Sequence, residues 1–188
     1  MMKKGLIKKL AGLMVLGILA LLLFTPLGFH FKVYANRLLS HNPTPVPERE
    51  QQMLEDYDWS LGTLDGEVYN FEENRGKVSL INFWASWCPP CIAEMPDFQK
   101  LYNDYGDKVS FLFVARDQED NVQRFLKKEG YDLPVYYERG LVPRQIYYGG
   151  IPTTFIIDRD GRIVVSKVGS ASWNSKETRQ LLDSLIAR

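Results

Sequence analysis

Residues 83–91 have the sequence FWASWCPPC, and this stretch contains both cysteines of the 188-residue chain. The run 78–84, VSLINFW, is mostly apolar and rich in β-formers, which predicts a buried strand that leads into the stretch. The run 92–102, IAEMPDFQKLY, places apolar side chains at helical spacing. The two cysteines are therefore predicted to lie where a strand ends and a helix begins.

Cys88 and Cys91 are three residues apart at the start of this predicted helix, so a disulfide between them would span one turn. The N-terminus of a helix carries partial positive charge and free N–H groups, and both favour the thiolate form of Cys88. A thiolate is the species that attacks disulfides. The pattern therefore predicts thiol-disulfide exchange.

Two other interpretations of the cysteine pair are weaker. A zinc site usually needs four ligands, but the chain has no further cysteine, and its histidines, His30 and His41, lie far away near the N-terminus. A purely structural disulfide would close a very short loop, which contributes little stability through chain entropy. We therefore expect neither a metal nor any other cofactor.

The net charge is zero, but its distribution is uneven. Residues 1–37 carry six basic residues and no acidic residue, which leaves 17 basic and 23 acidic residues in the rest of the chain. No basic surface of the kind that binds nucleic acid is indicated. Two cysteines are also too few for a small secreted scaffold held together by disulfides.

The N-terminal region predicts a membrane anchor. Residues 1–9 form a basic head, and residues 10–31 contain no Lys, Arg, Asp or Glu over about the length of a bilayer-spanning helix. Because the lysines precede this segment, the head is expected in the cytoplasm and the remainder outside it. We therefore expect a single-pass protein of the bacterial cell membrane with its C-terminal domain in the periplasm or extracytoplasmic space. The alternative is a signal peptide cleaved after Ala35.

Residues 32–55 are proline-rich and predict an extended tether, and residues 56–188 predict a folded domain. The domain should begin with a hairpin that turns at Asp65-Gly66. It should continue as strand-helix-strand-helix and close with two strands and a helix. The first strand-helix-strand unit predicts a parallel, right-handed crossover.

This order of elements resembles the thioredoxin fold, and the chain is most similar to the membrane-anchored TlpA/ResA-like thiol-disulfide oxidoreductases. The similarity covers residues 56–188 and rests on the N-terminal anchor and on three motifs: NFWASWCPPC at 82–91, EMP at 94–96 and GIPTTFIID at 150–158. It implies an α/β fold in which helices flank a central mixed sheet, with an N-terminal β-hairpin and one transmembrane helix before the domain.

The resemblance also implies roles for individual residues. Cys88 would be the exposed nucleophile, and Cys91 the buried thiol that resolves the mixed disulfide. Pro152 would form a cis peptide bond and face the cysteines. The backbone of Ile151 would pair with an extended substrate segment, and Trp87 would lie near the active-site surface.

Two further positions bear on the chemistry of the cysteines. Pro89 and Pro90 lack N–H groups, so each withholds a donor from the Cys88 thiolate. Ordinary thioredoxins carry a buried aspartate where this chain has Asn82, and an amide cannot relay a proton as a carboxylate does.

Glu94 is therefore the better candidate for proton transfer. It lies three residues after Cys91 and shares its helix face, which should turn inward toward the strand that bears Asn82. Burial would raise its pKa and allow it to accept the Cys91 proton. The alternative is a solvated glutamate that stabilises the helix dipole.

The sequence therefore predicts an exported, membrane-tethered enzyme that reduces protein disulfides. By resemblance, apocytochrome c is one candidate client, and a membrane thiol protein is expected to supply electrons. Two alternatives are a disulfide-forming oxidant and a non-catalytic thioredoxin-like binding module. A peroxidase of the peroxiredoxin type would need a Pro-x-x-x-Thr/Ser-x-x-Cys motif, which Pro89 and Cys91 do not supply.

Overall fold

A computed structural model describes residues 2–188, except for the side chains of residues 2–7, 23 and 24. It contains five α-helices: α1 Met2–Phe24, α2 Pro26–Leu39, α3 Pro89–Tyr105, α4 Glu119–Glu129 and α5 Lys176–Ile186. Seven strands form the sheet: β1 Ser60–Thr63, β2 Val68–Asn70, β3 Ser79–Trp84, β4 Ser110–Ala115, β5 Val135–Glu138, β6 Thr153–Ile157 and β7 Ile163–Val168. Short 3-10 helices cover Glu48–Glu50, Phe71–Asn74 and Arg144–Ile146.

The seven strands form one mixed sheet in the order β2-β1-β5-β4-β3-β6-β7. Strand β4 is parallel to both β3 and β5, and the other neighbouring pairs are antiparallel. The hairpin of β1 and β2 turns at Gly66, which has a φ of +84° that a side chain would disfavour. The predicted thioredoxin-like α/β fold, with its initial hairpin and its β3-α3-β4 crossover, is confirmed.

Strand β3 is buried on both faces, and its side chains alternate between two cores. Leu80 and Trp84 join the cluster formed with α3, α4 and α5, whereas Ile81 and Phe83 join the cluster on the opposite face. Because β3 is paired on both sides and packed on both faces, its C-terminal end holds the start of the following loop in place. This loop carries the cysteines.

The predicted single helix over residues 10–31 is wrong, because the structure has a break at Thr25. Thr25 is extended (φ −111°, ψ 159°), and its side chain caps α2 by accepting a hydrogen bond from the N–H of Gly28. Pro26 causes the break: proline has no N–H to continue a helix, it disfavours helical geometry at the preceding residue, and it suits the first position of a new helix.

Among the described residues, no single helix is long and apolar enough to cross a membrane. The segments Lys8–Leu22 and Pro26–Leu39 meet the criteria of length and composition only as a pair bent by 77°. For the predicted basic head, residues 1–9, Met1 and the side chains of residues 2–7 lie outside the described part of the chain.

The segment 32–55 also differs from the extended tether that its prolines predict. Helix α2 continues to Leu39, and the residues after it lie against the sheet. The N–H of Val46 donates to the carbonyl of Val164 at 2.9 Å, and the N–H of Leu54 donates to Gly161 at 2.8 Å. Strand β7 lies at the edge of the sheet, and this segment pairs with the first part of it, since the N–H of Ile163 also donates to the carbonyl of Gln52 at 2.9 Å. The folded unit therefore begins before residue 56.

The docked segment generates a stability prediction. Leu54 is buried, so we expect Leu54→Ala to lower the free energy of unfolding by about 2–5 kcal/mol through lost contacts and a cavity. Its neighbour Met53 is 43% exposed, and Met53→Ala, the matched control, should stay within about 0.5 kcal/mol of the wild type. Urea unfolding of the detergent-solubilised full chain measures both variants. Equally small effects would mean that the segment is a free tether.

Candidate active site

Cys88 caps the N-terminus of α3 and forms a disulfide with Cys91, with 5.3 Å between the two Cα atoms. The backbone of Cys88 is extended, and its sulfur accepts a hydrogen bond from the N–H of Cys91 at 3.3 Å. Pro89 and Pro90 occupy the first two helical positions and have no N–H to offer. The N–H of Cys91 is therefore the donor that the first helical turn offers to the sulfur of Cys88.

Both cysteines are buried in the disulfide form. Cys88 is 3% exposed and Cys91 is fully buried, so the prediction of an exposed Cys88 is wrong for this state. The reason is that the bond to Cys91 holds Cys88 within the same apolar cluster. The exposed residue is Trp87, at 60%, which lies at the surface beside the disulfide as predicted.

The Ile151–Pro152 peptide bond is cis, as predicted. Strand β6 pairs with β3 so that Thr153 lies opposite Phe83, which places Pro152 beside the end of β3 where the cysteine loop begins. Ile151 is half-buried and packs against the cluster that contains both cysteines. The structure therefore brings the cis-proline loop and the disulfide to the same end of the sheet.

Tyr148 fixes the approach to the cis-proline loop. Its ring stacks on Phe83, with 3.8 Å between the ring centroids, and its hydroxyl donates to the carboxylate of Glu138. The guanidinium of Arg116 lies 5.2 Å from the centre of the same ring. Because Phe83 belongs to the central strand, these contacts tie the loop to the sheet.

Glu94 is buried, with 1% of its surface exposed. Its Oε1 accepts hydrogen bonds from the N–H of Ala171 at 2.8 Å and from Nε1 of Trp173 at 2.7 Å. Its Oε2 has no hydrogen-bond partner among the described residues. Burial raises the pKa of Glu94 to about 8, although both hydrogen bonds and the charge of Lys167 oppose the rise.

These observations exclude the alternative of a solvated glutamate in the first turn of α3. The inward orientation and the raised pKa of Glu94 are both as predicted. No hydrogen-bond partner of Glu94 was predicted; Asn82, on the strand that Glu94 was expected to face, donates its amide to the hydroxyl of Thr154 at 2.8 Å. Ala171 and Trp173 lie 77 and 79 residues away from Glu94 in sequence. No local pattern in the sequence marked them.

Asp117 is a second carboxylate that the sequence analysis missed. It follows β4 and accepts hydrogen bonds from the backbone N–H of Ser86 at 3.1 Å, from the hydroxyl of Ser86, and from the amide of Asn121 at 3.0 Å. Burial raises the pKa of Asp117, but these hydrogen bonds outweigh it and the net shift is downward. Asp117 thus holds the loop that leads into Cys88. The parallel pairing of β3 and β4 was the available signal, because the ends of parallel strands share an edge.

Ser40 and His41, at the end of α2, form hydrogen bonds with the loop that holds Glu94. The hydroxyl of Ser40 donates to the hydroxyl of Ser170 at 3.2 Å, and the N–H of Ser172 donates to the carbonyl of His41 at 3.0 Å. The hydroxyl of Ser172 donates to the carbonyl of Ser40 at 3.2 Å. Ala171 and its neighbours are therefore held by Glu94 on one side and by the N-terminal segment on the other.

The environment of Glu94 predicts a dependence of stability on pH. The unfolded chain releases this proton near pH 4.5, whereas the folded chain keeps it up to about pH 8. The folded state thus binds more protons within this window, so the contribution of Glu94 to the unfolding free energy should fall as pH rises through it. Glu94→Gln keeps an acceptor oxygen but cannot titrate, and we expect it to remove this decline.

Urea unfolding of the oxidised full chain at a series of pH values measures the effect. Glu67→Gln, at an exposed position, is the matched control and should keep the decline of the wild type. A Glu94→Gln variant that declines as steeply as the wild type would contradict the assignment.

Known proteins are similar to this chain in sequence and in fold. The Redoxin family matches residues 45–184. The thiol-disulfide oxidoreductase ResA of Geobacillus thermodenitrificans is 30% identical over 181 residues, which cover 95% of this chain and 98% of that protein. The thioredoxin-like protein YneN of Bacillus subtilis is 34% identical over 130 residues, or 67% of this chain and 75% of that protein.

Among solved structures, that of MTB dsbF in its mixed oxidised and reduced forms has a TM-score of 0.59 and 28% sequence identity to this chain. The alignment covers 69% of this chain and 96% of the dsbF chain. The similarity thus includes sequence and fold, and the residues that match the Redoxin family include Cys88 and Cys91. The chain belongs to the Redoxin family, among the thiol-disulfide oxidoreductases similar to ResA.

Proposed function

We propose that this thiol-disulfide oxidoreductase reduces protein disulfides outside the cytoplasm through the dithiol form of Cys88 and Cys91. The observation that carries the proposal is the Cys88–Cys91 pair at the N-terminus of α3, with the carboxyl of Glu94 buried in the next turn. A disulfide at this position is one state of a two-electron cycle, and the dithiol is the other.

In the first step, the Cys88 thiolate attacks one sulfur of a substrate disulfide. A new S–S bond forms between Cys88 and that sulfur, the substrate S–S bond breaks, and the second substrate sulfur leaves as a thiolate. The partial positive charge at the start of α3 and the N–H of Cys91 stabilise the Cys88 thiolate.

In the second step, Cys91 loses its proton and attacks Cys88. The Cys88–Cys91 bond forms, the mixed disulfide breaks, and the first substrate sulfur leaves as a thiolate, so the substrate has gained two electrons. Glu94 is the proposed acceptor of the Cys91 proton, directly or through a water molecule. With a pKa raised to about 8, it is present in both protonation states near neutral pH.

The substrate is proposed to bind at the end of the sheet where the cysteine loop follows β3 and the cis-proline loop precedes β6. The β3–β6 ladder ends at Thr153, so the backbone of Ile151 and Pro152 lies just beyond it. An extended substrate segment could pair there by strand addition. Trp87, exposed beside Cys88, and the rigid Pro89-Pro90 pair would form the rest of this surface.

The proposed location outside the cytoplasm is supported by the four lysines within residues 1–9 and by the uncharged, mostly apolar residues 10–31 that follow them. The chain would be anchored through residues 10–31, with the domain in the periplasm or extracytoplasmic space, and a membrane thiol protein would reduce it after each turnover. Apocytochrome c is one candidate client.

The alternative function, a disulfide-forming oxidant, requires a higher reduction potential of the Cys88–Cys91 pair. A potential near the roughly −270 mV of thioredoxin favours the reductant, and one near the roughly −120 mV of DsbA favours the oxidant.

A Cys91→Ser variant tests the proposed cycle. We expect it to accumulate client proteins disulfide-linked to Cys88, because the second step cannot occur. Non-reducing electrophoresis of cells that express the variant, followed by mass spectrometry, identifies these clients. The matched control Cys88→Ser should trap fewer proteins. Equal trapping by the control, or trapping through Cys91, would reverse the assignment of the nucleophile.

Glu94→Gln tests the proposed proton acceptor. We expect the variant to form the mixed disulfide at the rate of the wild type but to release it more slowly, with a changed pH dependence, because Gln cannot accept the Cys91 proton. Stopped-flow measurements with a model disulfide substrate separate the two steps, and Glu67→Gln is the control. An unchanged pH–rate profile for release would discard the proton-transfer role.

A further inference from the structure

Helix α2 has one face that packs against the enzyme. It contacts α3, the helix that begins at the disulfide. The residues of α2 that are at least half-buried lie mostly at helical spacing: Gly28, Phe29, Lys32, Val33, Ala35 and Asn36. This face is thus fixed to the domain.

The opposite face of α2 is apolar and exposed. Four large side chains at intervals of four, three and four residues form one stripe along the helix. Their exposed fractions are 63% for Leu27, 56% for Phe31, 62% for Tyr34 and 66% for Leu38. We call these four residues the outer stripe.

The preceding helix indicates what covers the outer stripe. Helix α1 exposes large apolar side chains between Leu10 and Leu21, and these lie in the segment proposed as the membrane anchor. Helix α2 turns away from α1 by 77°. If α1 lies along the membrane normal, α2 therefore runs nearly parallel to the membrane surface. An apolar stripe on a helix in that orientation is typical of an interfacial helix.

The charge of this region favours the same surface. The chain has no acidic residue before Glu48, and α2 carries Arg37, which is exposed and adjoins Leu38 of the outer stripe. Basic residues beside an apolar stripe are attracted to anionic phospholipid headgroups. The rest of the domain has an excess of acidic residues and would be repelled from such a surface.

We propose that α2 is an interfacial helix whose outer stripe lies in a bilayer that contains anionic phospholipids. Its other face holds α3, so the helix fixes the orientation of the disulfide-bearing domain relative to the membrane. The inference rests on the proposed membrane anchor of residues 10–31 and divides it: the part within α1 enters the bilayer, whereas Leu27 and Phe31 of α2 lie at its surface. It goes beyond the anchor, because an anchor with a free tether would leave the orientation of the domain undefined.

Lipid quenching of the full-length chain in vesicles tests the inference. Tyr34→Trp places a fluorophore in the outer stripe, and Val68→Trp places one at an exposed position on β2, at the sheet edge opposite β7. The vesicles contain phosphatidylglycerol and phosphatidylcholine, with bromine near the headgroup or near the chain end. Emission from the four native tryptophans, measured on the wild type, is subtracted.

We expect the added emission of Tyr34→Trp to be quenched, more by bromine near the headgroup than by bromine near the chain end. The added emission of Val68→Trp should not be quenched. In the Tyr34→Trp background, Phe31→Glu together with Leu38→Glu should abolish the quenching, whereas Phe31→Leu together with Leu38→Met should retain it. Replacement of phosphatidylglycerol by phosphatidylcholine should weaken it.

An alkaline carbonate wash of the same vesicles separates the two possible failures. If the chain stays with the vesicles but Tyr34→Trp is not quenched, the anchor stands and the interfacial helix is overturned. An unquenched but blue-shifted Tyr34→Trp would assign the outer stripe to a second copy or another protein, which also overturns it. If the wash releases the chain, the proposed anchor and the inference fail together, whereas a reporter fused after Arg188 tests export independently.

Discussion

The N–H groups at the start of α3 have no acceptor within the helix, and the active site depends on how they are used. Pro89 and Pro90 remove two of them, and the N–H of Cys91 points at the sulfur of Cys88. The sulfur that needs stabilisation as a thiolate is thus also the cap of the helix. Cys88 can hold this position because β3 ends next to it in the centre of the sheet, where both faces are packed.

The second constraint is the burial of Glu94, for which the described residues supply donors to only one of its two oxygens. Both donors come from the loop between β7 and α5, and the same loop is hydrogen-bonded to Ser40 and His41. A carboxyl with this environment is more easily neutral than charged, since ionisation leaves Oε2 without a partner. The proton-holding group, the loop after β7 and the N-terminal segment therefore form one connected unit.

The sequence predicted best those features that depend on neighbours along the chain. The strand before FWASWCPPC, the helix after it and the turn at Gly66 follow from local patterns, and the cis bond at Pro152 followed from the family resemblance. The partners of Glu94 could not be predicted, because the fold brings Ala171 and Trp173 to it from a distant loop. The burial of Leu54 was not predicted. Prolines and polar residues predict an extended chain, but they do not show whether that chain packs against the edge of a sheet. The break at Thr25 had a local signal in Pro26, but the apolar run around it suggested one continuous helix.

The docking of the N-terminal segment on β7 also bears on whether copies of this protein associate through their sheet edges. An open edge strand is a template on which another chain can add, and anchoring in a bilayer would confine the copies to two dimensions and bring such edges together often. Here the first part of β7 is already paired with residues of its own chain, and the strand at the other edge, β2, is only three residues long. The N-terminal segment thus protects the domain against edge-to-edge aggregation, which the proposed membrane anchor would otherwise promote.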